Sequence, residues 1–60
     1  MKKNIVILDQ YFKDYQGHHF NYNKYLNDAL DKKSYEVEFY FNKKISDEIK
    51  NKFDYKIHKL

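Results

Sequence analysis

The chain has 60 residues, a formal charge of +3, and neither cysteine nor proline. That length allows one small domain, which buries only about 60% of the surface its unfolded chain exposes, and the lack of cysteine excludes a disulfide framework and the cysteine-based zinc sites. All twelve cations are lysines, spread from Lys2 to Lys59, whereas nucleic-acid binders gather charge into a patch and use arginine for paired contacts.

The first element is Ile5-Val6-Ile7-Leu8, a continuous apolar run that Asp9 ends. Such a run predicts a strand over about 4–9, buried on both faces as in a parallel sheet covered by helices. It is too short for the apolar core of a signal peptide despite Lys2-Lys3 before it, and no stretch approaches the length of a membrane span. A cytoplasmic protein is expected, with peripheral contact at the inner face of the membrane as the only membrane association.

Gln10 to Gln16 has no usable period and reads as a loop. Its Tyr11, Phe12 and Tyr15 either fold back over the core or contact a ligand. From Gly17 a helical period runs over about 17–32, with Tyr22, Tyr25, Leu26, Ala29 and Leu30 on one apolar stripe. His18 and His19 flank that stripe at its start, and Phe20 points away from it. Lys32 and Lys33 fall in or just past the last turn, where cations suit the helix dipole.

Tyr35 to Phe41 alternates with period two, placing Tyr35, Val37, Phe39 and Phe41 on one face of a strand and Glu36, Glu38 and Tyr40 on the other. Ser46 is a plausible N-cap for a short helix over about 47–53, with Asp47 and Glu48 in its first turn and Ile45, Ile49 and Phe53 on its apolar side. A third strand is expected over about 55–60. The order strand, helix, strand, helix, strand predicts an α/β chain: an incomplete Rossmann-like βαβαβ unit with a parallel sheet. Where such sheets run in the order 3-2-1-4-5-6, these residues supply only strands 3, 2 and 1. The first strand is then an open apolar edge without proline or bulge to protect it. The chain therefore reads either as the opening segment of a larger protein or as a small protein that self-associates.

In open α/β sheets ligands bind beyond the carboxyl ends of strands, at the start of the next helix. Free N–H groups around Gly17 to Phe20 suit a phosphate or carboxylate. A single glycine is not the G-x-G-x-x-G fingerprint and there is no Walker A motif, so neither a nicotinamide nor an ATP loop is indicated. Adjacent histidines diverge on a helix and no partner set follows, so no metal site is expected. Each histidine is open to two uses, as a general base at a helix N-terminus beside Asp9, or as packing for the helix start.

Ile5-Val6-Ile7-Leu8-Asp9, a loop, Gly17-His18-His19-Phe20-Asn21-Tyr22 and an amphipathic helix ending near Ala29-Leu30 resemble the start of a glycosyltransferase of the GT-B architecture, in particular the bacterial family-4-like group. The resemblance implies two Rossmann-like domains facing a cleft, the N-terminal one holding a sugar or glycolipid acceptor and the C-terminal one the nucleotide-sugar donor. It implies a substrate site at Asp9, Gly17, His18, His19, Phe20 and Tyr22. Gln16-Gly17-His18 is similar to the Gln-Gly-His motif in which related inverting enzymes carry a base on the acceptor hydroxyl, which carries that role to His18. The proline usual a few positions later is missing here, most family-4-like members retain configuration without such a base, and Gln16 stands where many GT-B enzymes have a first glycine. No cofactor is implied. An acceptor-side fragment, inactive alone, is the leading expectation. A self-associating α/β interaction module pairing through its first strand is the alternative, and a nucleic-acid binder using Tyr11, Phe12 and Tyr15 is the weakest reading.

Overall fold

Five elements follow one another in the computed structural model, which describes residues 2–60: β1 (Lys3–Asp9), α1 (His19–Ala29), β2 (Tyr35–Phe41), α2 (Asp47–Lys50) and β3 (Lys56–Lys59). The three strands form one parallel sheet in the order β1-β2-β3. β1 is therefore an edge, as the strand-order argument anticipates. Two crossovers of the same hand along such a sheet lay both helices on the same face.

The register shows which face that is. Ile5 lies beside Val37, Ile7 beside Phe39 and Asp9 beside Phe41. Val37, Phe39 and Phe41 are buried with Phe12, Ile45, Ile49 and Phe53, and Ile5, Ile7, Phe20, Leu30 and Ile57 pack against that cluster. The alternate residues face away from the helices. Val6 is 63% and Leu8 66% exposed, which corrects the expectation of a strand buried on both faces. Four apolar residues in a row signal two covered faces only if helices lie on both, and here neither helix reaches the second one.

The loop aromatics divide. Phe12 folds back into the core, with its ring 4.5 Å from Phe41, whereas Tyr11 is exposed. The loop is tied to the sheet where Asn42 N–H donates to Phe12 C=O and Asn42 Nδ2 donates to Gln10 C=O.

The first helix is shorter than its period suggests and rotated. Gly17 has φ +75°, a conformation costly for any residue with a Cβ, so the helix cannot extend back through it. At the other end Leu30 is extended, and Asp31 Oδ1 accepts from the N–H groups of Lys33 and Ser34, closing a turn in place of another helical one. The face turned inward carries Phe20, Asn23 and Asn27, while Tyr22 and Tyr25 are 63% and 70% exposed. That is about one residue's rotation from the predicted stripe. Tyrosine keeps one polar end in water, so counting two tyrosines as apolar turned the predicted stripe the wrong way.

The second helix starts as its residues suggest but stops three residues short of the expected end at 53. Ser46 is extended at the N-cap and its Oγ accepts from Ile49 N–H at 3.3 Å, with Asp47 and Glu48 in the first turn. It ends at Lys50, and two tighter turns deliver Phe53 to the core. Tyr55 then donates its hydroxyl hydrogen bond to Leu30 C=O, joining the end of α1 to the start of β3. Among the described residues no helix is long and apolar enough to cross a membrane.

Candidate functional site

Asp9 is the last residue of β1, and its side chain lies on the covered face at the carboxyl end of the strand. Its Oδ1 accepts from Tyr11 N–H at 3.2 Å, which closes the turn out of the strand. Its Oδ2 takes two further bonds, from His19 Nδ1 at 2.8 Å and from Asn23 Nδ2 at 2.9 Å. One carboxylate thus ties the end of the strand to the first two turns of α1. Burial alone pushes the Asp9 carboxyl up. The hydrogen bonds from His19, Asn23 and Tyr11, together with the His19 charge, outweigh burial and hold it below its ordinary value.

Asn23 is fully buried and donates a second hydrogen bond, to His19 C=O at 2.8 Å. Among the described residues its Oδ1 has no hydrogen-bond partner. Exchanging the amide's oxygen and nitrogen does not help, because it turns an acceptor toward the Asp9 carboxylate. A buried carbonyl left unpaired costs about 1–3 kcal/mol. The side chain accepts that cost while its two N–H groups hold Asp9 and the helix backbone.

Around this cluster opens a cleft of about 630 Å³, lined by Ile7, Leu8, Asp9, Gly17, His18, His19, Tyr22 and Asn23. It lies between the edge of β1 and the N-terminal half of α1. Tyr11 stands beside it, with its ring 6.4 Å from that of His19. His18 occupies the N-cap position and makes no capping bond through its side chain, and no acid sits in the first turn. Among the described residues the leading N–H groups of the helix are thus left without a side-chain acceptor.

Of the residues singled out from the sequence, Asp9, Gly17, His18, His19 and Tyr22 come together in this cleft. Phe20 does not. Its ring packs edge-on against Tyr15 at 4.9 Å and against Phe12 and Phe53 at 6.2 Å, on the core side of the helix. The physical reason is the helix rotation, which sends Phe20 inward and Tyr22 out.

Asn23 was missed. The signal for it was the four-residue spacing from His19, which sets both side chains over the same turn. The third histidine takes no part. His58 lies on β3 on the open face, stacked on Tyr40 at 4.4 Å, with Nε2 3.5 Å from Glu38 Oε1. Among the described residues no three His, Cys, Asp or Glu side chains gather as metal ligands.

The chain matches no protein-family model, no curated protein and no solved structure.

Proposed function

We propose that the cleft at the end of β1 is the acceptor-side site of a nucleotide-sugar-dependent glycosyltransferase of the GT-B architecture. One observation carries the reading: the strand-terminal Asp and the Gly-His-His-x-x-Tyr pattern, separate in sequence, line a single cleft as Asp9, Gly17, His18, His19 and Tyr22. Its chemistry suits a sugar. Carboxylate, imidazole and amide groups can pair with hydroxyls in several directions, and the exposed rings of Tyr11 and Tyr22 offer apolar faces to a pyranose ring. The donor site belongs to a second Rossmann-like unit, so these residues alone are expected to bind an acceptor without transferring to it. The reading locates the protein in the cytoplasm, against the inner face of the membrane where the acceptor is a glycolipid.

The test is a screen of the native gene product against UDP- and GDP-sugars with alkyl glycosides as acceptors. Release of nucleotide that depends on the acceptor supports the reading. Absence of both hydrolysis and transfer from every donor defeats it.

A second reading has its own support in the β1 edge, where Val6 and Leu8 are both exposed on a strand with one neighbour. Such an edge pairs readily with another strand, and a self-associating module follows. Sedimentation decides it: a monomer at high concentration removes this reading, and dissociation of an oligomer by Val6→Lys supports it.

A further inference from the structure

The apolar residues that the core leaves uncovered lie together. On β1, Ile5 and Ile7 are only half-buried on the helix face, and Val6 and Leu8 are exposed on the other. On α1, Tyr22 lines the cleft against that strand. Leu26 and Ala29 follow it at four and seven residues, on the same flank of the helix, the first half-buried and the second exposed. Much of the stripe legible in the sequence thus faces the β1 edge in place of the core. One apolar surface runs from the strand up the side of the helix.

The backbone of that edge has a pattern of its own. Lys3 N–H donates to Ser34 C=O, so the odd-numbered residues of β1 bond to β2, and Asn4, Val6 and Leu8 point their N–H and C=O groups away from the sheet. A twofold pair of such edges is antiparallel. Centred on Val6, it sets Val6 against its own copy, Asn4 against Leu8, Ile5 against Ile7 and Lys3 against Asp9, and uses every residue of the strand. A one-residue shift opposes inward groups to outward ones and loses the bonds. A two-residue shift leaves strand ends over and moves Lys3 to Ile7 or to Tyr11. Of these registers, the central one alone puts a lysine beside a carboxylate, and it does so at both ends.

We propose that the β1 edge is a homodimer interface in this register, joining two sheets into one, with the two α1 helices packed antiparallel above the join. The proposal rests on the self-association reading and names its partner, strand register and helix contact. Paired strands lie about 4.8 Å apart and each α1 joins the two strands beneath it, so the helix axes stand roughly 10 Å apart, the spacing at which helices pack. Tyr22, Leu26 and Ala29 of one copy then meet those of the other. Ile5 and Ile7 gain the cover that a single α1 does not give. Lys3 and Asp9 form a non-hydrogen-bonded pair, the closer kind, so the lysine of the second copy stands at the mouth of the cleft.

The chain has no cysteine, so one introduced thiol reports one contact. Val6→Cys changes an exposed side chain and leaves the core alone. Opposed residues of a hydrogen-bonded pair have Cα atoms about 5.5 Å apart, within reach of a disulfide. The native gene product is expected to sediment as a concentration-dependent dimer. Under mild oxidation at micromolar protein, Val6→Cys is expected to cross-link about 10²-fold faster than Lys52→Cys, an exposed position after α2, because pairing holds its thiols at millimolar effective concentration. Asn4→Cys and Leu8→Cys are expected to link when mixed and not when each is alone. Lys3→Glu is expected to raise the dimer Kd about tenfold, since both end pairs turn repulsive. An oligomer in which Val6→Cys links no faster than Lys52→Cys, or Asn4→Cys links to itself, overturns the proposal and leaves self-association standing. A Kd unmoved by Lys3→Glu does the same. A monomer overturns both, whether its Val6→Cys thiol reacts freely or is covered by another part of the native gene product.

Discussion

Two asparagines one turn apart on α1 occupy equivalent positions and do different things. Asn23 is fully buried and Asn27 is 2% exposed, both facing the sheet. Asn27 uses everything it has. Its Oδ1 accepts from Asp54 N–H at 2.8 Å, and its Nδ2 donates to Asp54 Oδ2 at 3.2 Å and Asp28 Oδ1 at 3.0 Å. It closes on the backbone of a neighbouring loop. Asn23 spends its two donors on Asp9 and His19 and leaves its acceptor unpaired, beside an open cleft. Burial and residue type are the same, so neither distinguishes structure from site. What does is what lies behind the partner: Asn27 closes on the Asp54 backbone and on the Asp54 and Asp28 carboxylates, whereas the Asp9 carboxylate bound by Asn23 also holds a half-exposed histidine.

The largest expected effect tests the structural end. Asn27→Leu removes all three bonds and leaves the Asp54 N–H without its acceptor, which should cost about 2–3 kcal/mol in urea unfolding. Asn23→Leu deletes an amide that already carries an unpaired oxygen, so its net cost should be smaller, about 1 kcal/mol. Its signature lies elsewhere, in a changed His19 ring resonance by NMR. Equal losses of stability with no change at His19 would erase the distinction between the two ends.

Gly17→Ala comes next. The nearest atom to an added Cβ is His19 Cδ2 at 3.8 Å, ordinary contact, so crowding is not the issue. The cost is conformational, about 1–2 kcal/mol for a left-handed residue gaining a Cβ. Relief comes by shifting the loop, which displaces His18 from the cleft. On the proposed function, weaker binding of an alkyl glycoside should therefore accompany the lost stability, whereas Ser46→Ala at the cap of α2 should cost about 1 kcal/mol without touching binding.

How far the sequence revealed this arrangement differs between sheet and helix. The strands were legible because their alternation is set by one covered face: Tyr35, Val37, Phe39 and Phe41 stand on the side their spacing names. The edge position of β1 followed from strand order, but its bare second face did not, since Ile5 to Leu8 reads alike under one layer of helices or two. The site was half legible. Gly17 and the histidines stood out by rarity, and Asp9 by its place at a strand end. Asn23 was hidden because a buried asparagine contradicts the apolar stripe by which helices are read, and only the demand of Asp9 for donors explains it. Phe20, which that same stripe turned outward, packs inward against the core.

The subtlest prediction separates two carboxylates through pH. Asp9 is held below its ordinary value near 3.8 against the opposing effect of burial, by His19, Asn23 and Tyr11. Asp28 is also lowered, first by the 2.7 Å bond from Lys24 and then by Asn27, but it sits on the exposed surface where solvent screens the pair. A carboxyl with a depressed folded value contributes its full stabilisation above the unfolded value, where both states are ionised. As pH falls below that value the unfolded chain takes up the proton first, and stability declines until the folded carboxyl is protonated too. The acid loss should thus begin just above pH 3.8 and run down through the lowered value of Asp9. Asp9→Asn should flatten that limb of a urea-midpoint profile more than Asp28→Asn, because the first deletes a half-buried junction of strand and helix and the second a screened surface pair. The opposite order would mean that the Asp9 cluster contributes little to folding, and that its geometry is held by the surrounding core.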